Sequence, residues 1–347
     1  MMNKFYLILL FIFIASLHAQ EYKLGRGYEV YKENKLALTL GGHIDINLYA
    51  SSNKDESVEL GQAGVILSGE YTPRLHFLVE MGSDDIYIHN LSHSQNETTD
   101  IQLMRLYGEY RFSDALEVKV GQFLTPIGIW NRTYIPALRW SAFTPYVAQG
   151  FFPKIIAGGL LNGRFFEERE FSYSVFYHVD GEHDTNKNNV KAKEFIGGEL
   201  RYHFTPLAKI AIPFGRYRSD SSKEINSFAG LNLLLPFDKN ELSTELIYKE
   251  GKWMESNGYK NRWKSYAWYL QYVHHIYKAS YLSVRYGEKR RLKSKNGINW
   301  NERNAVFGYI YKPKTAFSIK TEYRHVERNG LNTFHSDEGL LSFSVLF

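Results

Sequence analysis

From residue 36 onward, apolar and polar side chains alternate with period two. Leu38, Leu40, Gly42, Ile44, Ile46 and Leu48 fall on one side, and His43, Asp45 and Asn47 on the other. That is the pattern of a strand with one apolar and one wet face. The rhythm recurs along the chain. Val65, Leu67, Gly69 and Tyr71 oppose Gln62, Ser68 and Glu70, and Leu75, Phe77, Val79 and Met81 oppose His76 and Glu80. Met104, Leu106, Tyr110 and Phe112 oppose Arg105, Glu109 and Arg111, and Leu116, Val118 and Val120 oppose Glu117 and Lys119. At the far end Leu341, Phe343, Val345 and Phe347 alternate with Ser342 and Ser344.

Short polar turns punctuate this rhythm at 72–74, 113–115, 167–170, 205–208, 238–240, 277–279 and 312–315. Longer segments near 50–57, 83–99, 123–154, 180–193, 217–223, 251–261, 289–301 and 327–337 alternate with them. Short connections on one side and long ones on the other, with the two ends closing the circle, predict an all-β antiparallel barrel of about sixteen strands that crosses a membrane. Alternation is weakest at 155–166 and 209–217, where Gly and Pro213 dilute it, so about 14 and 18 strands are the alternatives. The polar row faces inward, because a charge turned toward lipid costs up to a few kcal/mol at mid-depth.

The chain ends fit that scheme. Residues 1–19 carry one cation at Lys4 and an apolar stretch too short to span as a helix, the layout of a secretory signal peptide. Residues 20–35 are polar without a clear period and are expected to be a short periplasmic segment, leaving 36–347 for the barrel. The ending GLLSFSVLF resembles the terminal strand of bacterial outer-membrane barrels, which implies recognition by the barrel-assembly machinery through Phe347.

Composition narrows the function classes. Cysteine is absent, which excludes a disulfide scaffold, a thiol nucleophile and thiolate metal sites. A mean hydropathy of -0.37 together with 26 Tyr and 23 Phe suits a wet interior and aromatic girdles. The net charge of +5 is too small to imply nucleic acid, and the basic run 289–295, placed on an outer loop, is expected to be solvated or to contact anionic lipopolysaccharide.

The segment 123–154 is the longest connection, and it is rich in aromatic residues and proline, with Trp130, Trp140, Pro126, Pro136 and Pro145. A connection of that length in a compact fold is uncommon unless functional, and its aromatic surface needs a wall to pack against. Its leading stretch GQFLTPIGIWN, at 121–131, resembles the segment following a strand in the phosphate-selective porin O/P-like family of Gram-negative outer-membrane porins. The resemblance implies a third loop folded into the lumen as a constriction. No lysine-rich ladder for phosphate is visible in it. Its charges are Arg132, Arg139 and Lys154, with no Asp or Glu between 123 and 154, and these are the expected anion-binding residues. The wall candidates are Arg105, Glu109, Arg111, Lys119, Arg201, Arg285, Lys320 and Arg324; the whole inward set has balanced signs. Any ion preference is therefore expected from the loop.

Other chemistry is sparse. Adjacent His274 and His275 point to opposite faces of a strand and cannot chelate together. Asp84 and Asp85 lack the spacing of a calcium loop, and no nucleophile or zinc signature occurs. No catalytic residue, metal or cofactor is expected. The expectation is a passive diffusion channel for small hydrophilic solutes or anions in the outer membrane of a Gram-negative bacterium, in contact with lipid and lipopolysaccharide. The alternative is a closed or narrow barrel with a surface-binding or structural role. Likeness to porins implies a homotrimer, with the Gly-rich 155–163 strand as a flat contact wall.

Overall fold

A computed structural model describes residues 27–91, 96–98, 101–165, 171–179, 189–219, 224–254, 260–293, 299–330 and 333–347. The first strands are β1 (Tyr28–Glu33), β2 (Leu36–Ser51), β3 (Lys54–Thr72), β4 (Leu75–Asn90), a short β5 (Asn96–Thr98), β6 (Gln102–Ser113) and β7 (Leu116–Leu124). After the long loop come β8 (Ile155–Phe165), β9 (Phe171–Val179), β10 (Ala192–His203), β11 (Lys209–Ser219), β12 (Ile225–Phe237) and β13 (Asn240–Met254). The chain ends with β14 (Lys260–Tyr277), β15 (Ser280–Lys293), β16 (Trp300–Lys314), β17 (Phe317–Asn329) and β18 (Phe334–Leu346).

Sixteen of these, all but β1 and β5, form a closed antiparallel barrel. Closure runs from Glu338↔Ser51 to Leu346↔His43 between β18 and β2. It ends in a reciprocal pair of main-chain bonds, Gly42 N–H to Phe347 O at 2.7 Å and Phe347 N–H to Gly42 O at 2.8 Å. The residues 28–33, within the stretch read as a lead-in, form β1 and pair with the start of β2, on the track that β18 leaves at Phe347. The β5 strand likewise continues the track of β6 along β4.

Burial inverts the pattern of a water-soluble fold. Glu80 and Lys320 have no exposure and Arg285 only 2%, whereas Val120 is 62% and Phe307 53% exposed. Polar side chains thus line the inside and apolar ones the outside, as a barrel in lipid requires. In β2 the buried row is His43, Asp45 and Asn47, and Leu40 and Leu48 face out. The short turns at 73–74, 114–115, 204–208, 238–239, 278–279 and 315–316 match the expected punctuation; the expected turn at 167–170 lies outside the described residues. Both weakly alternating segments are strands, β8 and β11. At Pro213, which has no N–H to give, the ladder from β11 to β12 is interrupted between Ala211 and Phe214.

Three readings change. Met104 was expected to face out, but a bulge opposite Glu80 and Met81 shifts the register, leaving Leu103 40% exposed and Met104 buried. The basic run is not wholly on a loop: 289–293 belong to β15, and Lys289 and Arg291 lie against the ring of Trp300. Asp84 sits within β4, where its carboxylate accepts a bond from Gln62 Nε2 at 2.8 Å.

Candidate functional site

Between β7 and β8 the chain makes a four-residue helix, α1 (Ile129–Arg132), and two 3₁₀ turns, Pro136–Leu138 and Tyr146–Ala148. Short turns satisfy part of this segment's backbone internally, as in Thr133 N–H to Ile129 O and Gln149 N–H to Tyr146 O, and inward-facing strand side chains supply further partners, as buried main-chain polar groups require. Carboxylates take its N–H groups. Glu199 accepts from Gly128 N at 2.9 Å and Glu245 from Trp130 N at 2.8 Å, at the start of α1. Glu322 accepts from Ala142 N at 2.9 Å, Phe143 N at 3.2 Å and Ser141 Oγ at 3.0 Å. Cations take its carbonyls. Lys320 donates to Pro136 O at 2.8 Å, Arg285 to Phe143 O at 2.6 Å and Lys249 to Gly150 O at 2.8 Å. Aromatic packing completes the attachment: Phe151, Phe152, Tyr146 and Val147 of the loop share one buried cluster with Phe176, Phe195, Tyr217 and Phe228 of the strands.

The three loop cations have different surroundings. Arg132, at the end of α1, is the exposed one, with Nη1 3.1 Å from Glu199 Oε1. Arg139 donates from Nε to Thr133 O at 2.7 Å and stacks 4.6 Å from the centre of the Trp130 ring, whose surroundings also include the Arg285 guanidinium at 5.6 Å. Burial holds the Arg139 guanidinium below its ordinary value and pushes the Tyr134 phenol up. Lys154 closes the base of the loop through its backbone: its carbonyl accepts Thr125 N at 2.8 Å and its N–H reaches Asn189 Oδ1 at 2.6 Å.

The wall candidates divide in two. Arg285, Lys320 and Arg324 meet the loop, the last with its guanidinium 4.0 Å from the centre of the Phe143 ring while paired with Glu338. Arg105, Arg111, Lys119 and Arg201 border a cavity of 960 Å³ that the loop leaves on the β6–β11 side. Their partners are Glu80 for Arg105, Glu117 for Arg111 at 3.4 Å, Glu109 for Lys119 at 2.7 Å, and Glu199 for Arg201 at 3.7 Å.

The cavity lining carries more cations than acids, with Glu80, Glu109 and Glu199 pairing with lining cations from just behind it. Arg105, Arg111, Lys119, Arg132, Arg164, Arg201 and Lys209 line it against only Asp114 and Glu117. Arg164, Lys209 and His203 were not among the sequence candidates. Extending the alternation from Arg201 by two residues reaches His203, and the same step back from Ala211 reaches Lys209. Glu199 is shared between Arg132 and Arg201, so one carboxylate serves two guanidinium groups at the cavity's inner edge.

A closed sixteen-strand antiparallel barrel with a polar interior is the porin-type fold of outer-membrane barrels. Three solved structures place the likeness. An anion-selective porin from Comamonas acidovorans matches with a TM-score of 0.65 and 13% identity, over 90% of this chain and 100% of that one. OmpT, an outer membrane protein of Vibrio cholerae in its trimer form, matches at 0.65 and 12%, over 90% and 100%. Salmonella typhi OmpF in complex with daunomycin matches at 0.61 and 12%, over 92% and 100%. At these identities the likeness is one of fold. No family model matches the chain, and no curated protein matches it in sequence.

Proposed function

We propose that the barrel is a passive channel in the outer membrane of a Gram-negative bacterium, admitting small hydrophilic solutes with a modest preference for anions. The observation that carries this reading is the 960 Å³ cavity between the loop and β6–β11, lined by seven cationic and two acidic side chains. The loop is the constriction, and the preference comes from Arg132 together with the wall cations Arg105, Arg111, Lys119, Arg201 and Lys209, not from Arg139 and Lys154. A small anion about 5 Å from one cation gains roughly 1 kcal/mol at an effective dielectric near 60, and the carboxylates paired with most of these cations reduce that gain. Screening over about 8 Å in physiological salt keeps the preference modest. The stretch at 121–131 resembles the phosphate-selective porin O/P-like family, but phosphate itself is not proposed as the solute. No catalytic step or cofactor enters this reading.

A second reading, a barrel closed by its loop and serving at the surface, has its own support: the loop's Phe151 and Phe152 are only 2% and 4% exposed within the aromatic cluster. Export by residues 1–19, assembly through the Phe347 ending and a homotrimer complete the proposal. The trimer rests on the small side chains of β8, Ala157, Gly158, Gly159 and Gly163, which keep that wall flat.

Conductance of the refolded protein in a planar bilayer, with the reversal potential under a potassium chloride gradient, separates the readings. Stepwise conductance with a reversal potential of chloride sign supports the channel. A correctly folded barrel without conductance puts the closed reading first.

A further inference from the structure

On the outer wall, near the connection between β17 and β18, the chain brings together His325, Glu327 and His335. One ligand atom from each lies within 4.8 Å of the others. The register explains why. Glu327 is directly opposite His335, and His325 is directly opposite Asp337. Side chains at i and i+2 of one strand share a face with their partners across an antiparallel pair, so these four form a square on one surface of the sheet. Their outward neighbour Tyr323 is 51% exposed. Beyond it the outward positions turn from apolar to polar, which places the square on the loop side of the apolar band.

The square is asymmetric in a way that suits a metal. His325 Nδ1 lies 2.8 Å from Asp337 Oδ1, while His325 Nε2 lies 3.4 Å from Oε1 of Glu327, the residue directly opposite His335. Asp337 also accepts a bond from Tyr323 Oη. A carboxylate holding one imidazole nitrogen as N–H leaves the other nitrogen as the ligand, which is the usual support of a metal-bound histidine. The strand backbone beneath is braced: Ser52 N–H donates to Asp337 O at 2.9 Å, and Asp337 N–H to Ser52 Oγ at 3.0 Å. The nearest facing cation, Arg303 opposite Glu327, lies 3.9 Å from Glu288.

We propose that His325 Nε2, Glu327 and His335 form a three-ligand site for a transition-metal dication, zinc above all, with Asp337 as the residue that positions His325. Two imidazoles and one carboxylate with a fourth position open to the exterior is a donor set suited to zinc. Hard cations, which prefer all-oxygen sites, fit it poorly. Glu327 and His335 lie on different strands, so no contiguous spacing in the sequence announces the set.

The test is calorimetric titration of the detergent-solubilised barrel with zinc chloride. The expected result is one zinc per chain, undisturbed by excess magnesium or calcium. His325→Gln and His335→Gln are each expected to weaken zinc roughly tenfold or more, and Asp337→Asn by about tenfold through loss of orientation. Unchanged affinity in both histidine variants, or displacement by calcium, overturns the site. X-ray absorption of the zinc-loaded wild-type protein decides the matter independently of any variant's folding: two imidazoles on the metal support the site, and one or none overturns it.

Discussion

The backbone N–H of Ala142 donates to Glu322 Oε1 at 2.9 Å, joining the middle of the long loop to β17 on the wall opposite its own root. The same carboxylate accepts from Phe143 N and Ser141 Oγ, so one side chain satisfies three loop donors. Hydrogen bonds to charged groups are worth about 1.5–3 kcal/mol each, and removing their acceptor leaves buried donors unpaired. Glu322→Ala is therefore expected to lower the unfolding free energy by about 2–4 kcal/mol and to free the 141–143 segment. Denaturant titration followed by tyrosine and tryptophan fluorescence reads the first effect, and single-channel recording reads the second as larger, noisier conductance. An unchanged midpoint with unchanged conductance would remove the anchoring role of Glu322.

Charge reversal on the cavity side tests selectivity. Arg132 and Lys209 border the cavity on the same side of the loop, and Glu199 is the carboxylate that Arg132 contacts. Arg132→Glu combined with Lys209→Glu changes the local charge by four units, two at each position, and is expected to move the reversal potential toward the cation side. Arg139→Glu removes a stacked, half-buried guanidinium and is expected to act on stability and loop position before selectivity. If the Arg139 variant alone shifts the reversal potential while folding normally, the assignment to the cavity wall fails.

Strand existence and the inward direction of Asp45, Glu80, Arg285 and Lys320 were legible in the sequence, because period-two alternation in lipid tolerates few errors. The division of labour among the charges was not. Equal numbers of acids and bases suggested a neutral wall, yet Glu199, Glu245 and Glu322 are used by loop N–H groups, and Lys249, Arg285 and Lys320 by loop carbonyls. Where the loop lands is a tertiary property, and it decides which wall charges still face the cavity. The bulge at Met104 escaped for a related reason: one extra residue reverses the alternation locally without any change in composition.

The closure of the barrel gives a separate expectation. Phe347 forms its bonds to Gly42 through the main chain, and its ring lies where a side chain on Gly42 would come, 2.9 Å from the ring edge. Phe347→Ala keeps both bonds, so in-vitro refolding into detergent should change little, whereas delivery to the outer membrane in cells should fall if the terminal aromatic is a signal. Gly42→Ala should do the reverse: the added methyl would also meet Gly64 O at 2.5 Å, a backbone atom that cannot easily yield. A cost of about 1–3 kcal/mol is expected there. Comparing band-shift refolding assays with cell fractionation separates the two, and a parallel loss of both for Phe347→Ala would point to folding instead of recognition.

Gly128 offers the sharpest probe of the loop's root. Its φ of 80° and ψ of 163° lie in a region essentially reserved for glycine, and a Cβ there would stand 2.6 Å from Glu245 Oε2. The backbone takes this shape so that Gly128 N–H can reach Glu199 while Trp130 N–H reaches Glu245, two carboxylates on different strands held by one turn of chain. Gly128→Ala must relax the turn or displace Glu245, at a cost of about 1–3 kcal/mol. Displacing Glu245 also disturbs Tyr269, whose hydroxyl donates at 2.8 Å to Oε1, the oxygen that accepts Trp130 N–H. The expected outcome is a lower unfolding midpoint, with Arg132 less firmly held beside Glu199 and a changed ion preference. Adding Glu245→Ala removes the clash and should recover little stability, because Trp130 N–H and Tyr269 Oη then lose their acceptor. Full recovery in the double variant would mean that steric conflict alone, and not the shared carboxylate, governs the root of the loop.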